Sequence, residues 1–246
     1  MINITEYLTF LKNLHNKCID FSKNIIFYKE DIRQLYLMGF YGSIIELSGC
    51  LIVLVDNKYW TGVTPLFRSM LETYVEFINL YASEEYCFYM EASFHNQWLK
   101  ILENAKINRN PFLSDIAKFD DLDLQIIEHK NKLSSLKKKD YHPLNIFQRF
   151  EKAEMQNEYE SIYKFASDHA HSNINALIDR HYEISGDNLK VVFYRDKTDE
   201  SIVTYIDSIS GLLVDATEKT HLFFKTGLES KIMEIRLSFN KLREGY

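Results

Sequence analysis

The segment from Pro65 to Tyr81, PLFRSMLETYVEFINLY, decides the fold class because it is apolar on nearly every side of a helix. Its large apolar residues recur at the three- and four-residue spacing of an α-helix. A helix that is apolar all round belongs in the core of a larger helical assembly. We therefore predict a central helix that carries Pro65 in its first turn, where proline is tolerated, and that follows a break from Thr61 to Pro65.

The same helical spacing extends through most of the remaining chain. It predicts an all-α fold, a mainly helical single domain over residues 1–246 with about eight or nine helices. Residues 112–141 are charged and are expected to face solvent, and a small β-hairpin is expected near residues 182–194, with Gly186-Asp187 in its turn. The other predicted helices span about Ile4–Phe27, Asp31–Val55, Ser83–Ala105, Leu122–Leu136, Leu144–Ala153, Tyr159–His181 and Asp199–Phe224, and a last helix ends near Arg243.

Composition excludes several classes of protein. A net charge of −6 argues against general nucleic-acid binding through a bulk positive field. The three cysteines are far apart and odd in number, and they show no metal-ligand spacing. This pattern favours a reducing cytoplasm in which the cysteines are buried free thiols. The longest strongly apolar run, Leu47–Val55, is too short to span a bilayer. We therefore expect a soluble, cytoplasmic protein that does not enter a membrane.

Arg68 and Glu72 lie four residues apart and so share one face of the central helix. A charged pair among apolar neighbours needs partners, because an unpaired buried charge is costly. One interpretation is structural: a bridge that locks helices together. The other is functional: Arg68 binds a phosphate, and Glu72 orients it or accepts a proton. The structural interpretation is favoured, since ion-pair networks often imitate sites.

A second polar segment, Ser167-Asp-His-Ala-His171, lies in the predicted helix Tyr159–His181. His169 and His171 point about 160° apart on a regular helix, so they cannot bind one metal, and we expect no metal and no cofactor. His171 could be a general acid or base oriented by Ser167 or by Asp168, or simply a member of a buried polar network. The ligand-binding candidates in this segment are Ser167, Asp168 and Asn175.

Two short motifs resemble a known family. Arg68-x-x-x-Glu72, followed at a distance by Tyr163-x-x-x-Ser167-x-x-x-His171, is similar to the pattern of the bacterial DUF5677 family. The resemblance implies a soluble, all-helical protein of bacteria or mobile elements, with phage defence as a looser expectation. It adds Tyr163 to the ligand-binding candidates, but it carries no settled biochemical activity. The Arg-then-His motif of HEPN-type helical ribonucleases is missing, because no arginine lies four to seven residues before any of the eight histidines.

Three functions remain open at this stage. The first is a ligand- or partner-binding module, which takes a small anionic ligand or a protein partner in a polar pocket between helices. The second is a metal-independent phosphodiesterase or ribonuclease-like enzyme that uses Arg68, Glu72 and His171 as catalytic residues. The third is a purely structural network of the same three residues. Whether the chain is an enzyme stays open, and a homodimer is a further expectation.

Overall fold

The computed structural model describes residues 4–107, 110–170, 173–185 and 188–244, and it shows an all-α fold with one small hairpin. The elements follow one another in chain order. They are α1 Ile4–Ser22, α2 Ile32–Asp56, α3 Trp60–Ala82, α4 Tyr86–Lys106, two 3₁₀ turns at Pro111–Leu113 and Ile116–Lys118, α5 Leu122–Lys138, α6 Ile146–Lys152, α7 Gln156–Glu158, a π-helical turn Tyr159–Tyr163, α8 Lys164–Ala170, α9 Ile174–His181, β1 Tyr182–Ser185, β2 Asn188–Val191, α10 Asp199–Phe223 and α11 Glu229–Glu244.

Several helices begin where a short polar side chain accepts a hydrogen bond from the first turn. Asp31 caps α2, and Thr198 caps α10. Asn145 caps α6 in a reciprocal box with Gln148, so that two otherwise unpaired backbone N–H groups are satisfied. Each such cap is typically worth about 1 kcal/mol of stability. The local sequence therefore sets these helix starts.

The predicted central helix is α3. It packs against α2 on one side and against α8, α10 and α6 on others, while α1 and α11 lie against α10. Met70, Leu71, Phe77 and Leu80 are fully buried in it. Its apolar character on nearly all sides is therefore explained by neighbours on nearly all sides.

Pro65 does not begin the central helix, and this prediction was wrong. Helix α3 starts at Trp60 and continues through Thr61–Pro65 without a break, with the proline in its second turn. Trp60 and Val63 are buried in the core, so the residues of the expected break instead form an anchored first turn. Tertiary packing of these side chains offsets the hydrogen bond that proline removes.

The single helix predicted from Tyr159 to His181 was also wrong. The segment divides into the π-helical turn, α8 and α9. Asn173 explains the separate start of α9, because its side chain accepts a hydrogen bond from the backbone N–H of Ala176. The hairpin follows directly, with Tyr182 opposite Val191 and Ser185 opposite Asn188. The predicted turn residues, Gly186 and Asp187, lie outside the described residues.

Helices α4 and α5 form an antiparallel arm. Helix α5 packs chiefly on α4 and on the 3₁₀ turn Ile116–Lys118. Of its side chains, only Leu122 and Leu133 are buried, and most of the rest face solvent. The arm is therefore attached to the rest of the protein mainly through the first half of α4, where Tyr86 and Cys87 are buried.

Helix α2 is a longer apolar segment than the run Leu47–Val55 considered in the sequence. Its 25 residues are, by length and composition, apolar enough to cross a membrane, whereas Leu47–Val55 alone is too short. In the structure α2 packs against α1, α3 and α10, and 39% of its most apolar 18-residue stretch is buried inside the protein. The core helix of a soluble protein meets the same criterion, so this helix is only weak evidence for membrane insertion.

Candidate functional site

The predicted pair Arg68 and Glu72 acquires a third partner, Tyr163, from the π-helical turn. An Arg68 nitrogen, Nη2, lies 2.9 Å from Glu72 Oε1. The same nitrogen donates to the Tyr163 hydroxyl at 2.9 Å, and Arg68 Nε donates to it at 3.3 Å. The hydroxyl in turn donates to Glu72 Oε1 at 2.8 Å. The three side chains thus form a mutually hydrogen-bonded cluster that joins α3 to the π-helical turn.

Electrostatics favour the neutral form of Tyr163 and the charged form of Arg68. Burial raises the pKa of the Tyr163 phenol, and the Glu72 carboxylate raises it further, although Arg68 opposes this. Burial lowers the pKa of Arg68, but the hydrogen bond to Tyr163 and the charge of Glu72 outweigh that effect and leave the pKa above its ordinary value. Tyr163 is therefore a neutral donor to Glu72, and Arg68 stays charged.

The π-helical turn positions Tyr163 within a group of stacked aromatic rings. The Tyr159 and Tyr163 rings are stacked with centroids 5.3 Å apart, and the Phe150 ring lies 4.9 Å from that of Tyr163. Leu71 and Val75 of α3 complete this buried apolar cluster. Single π-helical turns inside α-helices frequently mark functional sites, because the extra residue changes which side chains face a neighbour.

Next to this turn, a pocket of about 410 Å³ opens between α3, α8 and α10. One wall is formed by Ser161 and Ile162, the two residues that precede Tyr163 in the π-helical turn. Another wall is formed by Phe67, the neighbour of Arg68. The lining is mainly apolar with several hydroxyl groups. Among the described residues, the lining consists of Phe67, Ser161, Ile162, Phe165, Ala166, Ser201, Thr204, Tyr205 and Ser208.

Tyr205 ties the α10 wall of this pocket to α3. Its hydroxyl and that of Thr64 are 2.8 Å apart and share one hydrogen bond. The Phe67 ring meets the Tyr205 ring edge to face, with centroids 5.6 Å apart. Burial raises the pKa of the Tyr205 phenol, so the group is neutral near pH 7. The contacts of Tyr205 with Thr64 and Phe67 therefore hold the α10 wall of the pocket against α3.

The other predicted site residues are not brought into the Arg68 cluster. Ser167 is half-buried, whereas Asp168 and Asn175 are exposed, and Asn175 belongs to the separate helix α9. Within the described ranges, none of these three side chains forms a hydrogen bond or ion pair with Arg68, Glu72 or Tyr163. His171 lies outside the described residues, so its position relative to Arg68 stays a prediction.

A second cluster of the same composition lies one turn further along α3. Glu76 pairs with Arg149 of α6 through Oε1 and Nη1, which are 2.6 Å apart, and accepts a hydrogen bond from the Tyr86 hydroxyl at 2.8 Å. Asn79 donates to the Arg149 carbonyl at 2.8 Å. Glu76 lies four residues after Glu72 and so continues the polar edge of α3. Arg149 carries a comparable signal in the sequence, because its charge lies between the apolar residues Phe147 and Phe150.

The described residues offer little to a metal ion. Within residues 4–107, 110–170, 173–185 and 188–244, no group of three or more His, Cys, Asp or Glu side chains could hold one. The three cysteines are free thiols, with Cys18 and Cys87 buried and Cys50 exposed, so the expectation that all three are buried was wrong for Cys50. Burial raises the pKa of the Cys18 thiol to about 11, which leaves it an inert core group.

Comparison with known proteins identifies the family but no activity. The model of a family of unknown function, DUF5677, matches residues 34–189. This range contains both Arg68 and Glu72 and the π-helical turn, whereas the α10 wall of the pocket lies beyond it. No curated protein and no solved structure matches the chain. Since the match covers more than half of its 246 residues, the chain belongs to the DUF5677 family.

Proposed function

We propose that this chain is a small-molecule-binding module, and that its ligand occupies the pocket between α3, α8 and α10. The observation that carries the proposal is the pocket itself. At about 410 Å³ it lies within the range of about 300–1,000 Å³ that is usual for ligand sites. Its walls combine aromatic side chains with a few hydroxyl groups, the composition that such sites favour.

The Arg68 cluster has a supporting part in this proposal. It fixes the π-helical turn against α3, and the same turn supplies Ser161 and Ile162 to the pocket wall. Binding sites need walls whose side chains are held in place by surrounding hydrogen bonds, since ordering them at the moment of binding weakens affinity. The structural and the binding hypotheses are therefore compatible, because the Arg68 cluster stabilises one wall of the proposed binding pocket.

The enzymatic alternative, a metal-independent phosphodiesterase, needs Arg68 to contact the phosphate of a substrate. In the structure Arg68 contacts Glu72 and Tyr163, so a phosphate would have to compete with a carboxylate already 2.9 Å away. His171, its proposed acid or base, lies outside the described residues. The binding proposal is better supported because described residues of α3, the π-helical turn, α8 and α10 together line one pocket. A location in a reducing cytoplasm, supported by three free cysteines, and a part in phage defence remain further proposals.

A pair of tryptophan variants tests the pocket. Thr204 and Ser238 are both exposed, lie within long helices and donate their hydroxyl protons to the carbonyl four residues earlier, at 2.8 Å in each case. Only Thr204 lines the pocket. Thr204→Trp therefore fills the pocket mouth, and Ser238→Trp is its matched control on α11.

The measurement is a thermal-shift screen of neutral and anionic small molecules. A compound present at one hundred times its Kd stabilises the folded protein by about 2.7 kcal/mol. For a chain of this length each kcal/mol raises the melting temperature by roughly 2–4 °C. We expect such shifts in the wild type and in Ser238→Trp but not in Thr204→Trp. A shift that Thr204→Trp retains, or a screen in which no compound binds, contradicts the proposal.

A further inference from the structure

We infer that the ligand of this pocket is an uncharged, planar heteroaromatic ring that donates N–H hydrogen bonds, of the nucleobase or nucleoside class. This inference rests on the proposed function and names the ligand that it leaves open. Three properties of the described lining residues carry it: none of them is charged, two of their hydroxyls donate their protons to helix carbonyls, and aromatic rings stand among them.

The described lining of the pocket contains no Asp, Glu, Lys, Arg or His side chain. Two charged groups act on the Tyr205 phenol in opposite directions, since Arg180 lowers its pKa and Asp179 raises it. Both already have partners: Asp179 pairs with Lys197 at 2.6 Å, and Arg180 donates to the carbonyl of His169. An ionic ligand would thus lose hydration without gaining a counter-charge from the described lining. The lining favours a neutral ligand over the anionic one expected from the sequence.

The hydroxyl groups in the lining divide into acceptors and donors. Ser161 donates its proton to the carbonyl of Asn157 at 2.6 Å, and Thr204 donates to that of Glu200 at 2.8 Å. Each therefore presents only an oxygen lone pair to the pocket. A ligand that matches these two oxygens must supply hydrogen-bond donors. An ether, an ester or an aliphatic ring cannot do so, whereas ring and amino N–H groups can.

Two further hydroxyls in the lining have unused protons. Among the described residues, the side chains of Ser201 and Ser208 form no hydrogen bond, so they can donate to a ligand acceptor. Donors and acceptors together on one wall suit a ring that carries both, such as the amide or amidine edge of a nucleobase. A purely apolar ring would leave these groups without partners, and each unsatisfied polar group weakens binding.

The aromatic side chains favour a flat ligand. Phe67 stands edge-on to Tyr205 inside the pocket, and Phe165 lies at its mouth, where 56% of its surface is exposed. The His169 ring covers part of Phe165, with centroids 4.2 Å apart. A planar ring that enters beside Phe165 gains stacking contacts, which are tolerant of the identity of the base.

Matched nucleosides and nucleotides test the inference. Adenosine, guanosine, cytidine and uridine, their 5′-monophosphates, and toluene as a ring without N–H groups are titrated into the full chain by calorimetry. We expect at least one nucleoside to bind about tenfold or more tightly than its monophosphate, and toluene not to bind. Thr204→Val keeps the side-chain shape but removes the acceptor oxygen, and it should weaken nucleoside binding by about two- to tenfold. Ser238→Ala, which removes a hydroxyl of the same geometry outside the pocket, should leave it unchanged.

The outcomes separate this inference from the proposed function. Monophosphates that bind as tightly as nucleosides, or Thr204→Val that binds like the wild type, overturn the inference. If nucleosides fail and other compounds from the thermal-shift screen bind in a manner that Thr204→Trp abolishes, the proposed function stands and the ligand class is wrong. If Thr204→Trp abolishes the binding of no compound of any class, the pocket itself is not a binding site.

Discussion

Replacing Tyr163 with phenylalanine removes the atom that joins α3 to the π-helical turn. The hydroxyl accepts hydrogen bonds from Arg68 and donates one to Glu72, while the ring is 4% exposed and packs among other aromatic rings. Phenylalanine keeps this packing, so the change isolates the hydrogen bonds. The direct contact between Arg68 and Glu72 at 2.9 Å can persist in the variant.

The size of the effect follows from the exposure of the two partners. Hydrogen bonds to charged groups contribute about 1.5–3 kcal/mol each. The Arg68 and Glu72 side chains are 24% and 37% exposed, so water can replace part of what they lose. We therefore expect Tyr163→Phe to lower the free energy of unfolding by about 1.5–3 kcal/mol in total. This corresponds to a melting temperature lower by roughly 3–12 °C.

The assay is equilibrium denaturation in urea together with thermal unfolding followed by circular dichroism. Tyr28→Phe is the control, because Tyr28 is 66% exposed and should tolerate loss of its hydroxyl within about 0.5 kcal/mol. If Tyr163→Phe and Tyr28→Phe shift the unfolding midpoint equally, the cluster does not hold the π-helical turn on α3. The reasoning about the pocket wall would then fail as well.

Two other expectations concern the core. Burial lowers the pKa of His221 in the folded protein below its value of about 6.5 in the unfolded chain. As the pH falls below about 6.5, the unfolded chain therefore takes up the proton first. The contribution of His221 to stability should be complete above that pH and should decline as the pH falls towards the folded pKa. Urea midpoints measured from pH 7.5 to 5 should show this decline. The decline should shrink in His221→Gln and persist in the control His142→Gln, because the His142 side chain is 55% exposed. An unaltered decline in His221→Gln would refute the assignment. On α2, Gly42→Ala should stabilise the helix by about 0.5–1 kcal/mol, since a Cβ there meets nothing within 4 Å. Gly49→Ala should be worse than Gly42→Ala by about 1 kcal/mol or more, because its Cβ would lie 2.8 Å from Cε1 of His15; equal melting temperatures would show that His15 moves aside freely.

Most of the fold could be predicted from the sequence because helical spacing is a local property. The period of apolar residues located α2, α5 and α10 to within a few residues, and Asp31 marked the start of α2. Local signals failed where packing decided the outcome. Trp60 and Val63 are held by the core, so α3 runs through Pro65.

The candidate site was only partly predictable. Helical spacing supplied Arg68 and Glu72, and the family resemblance added Tyr163; the structure brings the three together. The pocket beside them was not predicted, because one of its walls comes from α10. Tyr205 and Thr64 are 141 residues apart in the chain, and no periodic pattern records that they meet. Contacts between distant segments depend on how whole helices pack, which the spacing within one helix does not specify.

The attachment of α5 has a consequence for how the protein opens. Because this helix packs chiefly on α4 and buries only two side chains, it can detach at a free energy well below that of global unfolding. Its amide hydrogens should then exchange with solvent through local opening, while those of α3 exchange only when the whole core unfolds. The loop before α5 would be the first place that a protease cuts, and the remaining helices would stay folded after the cut.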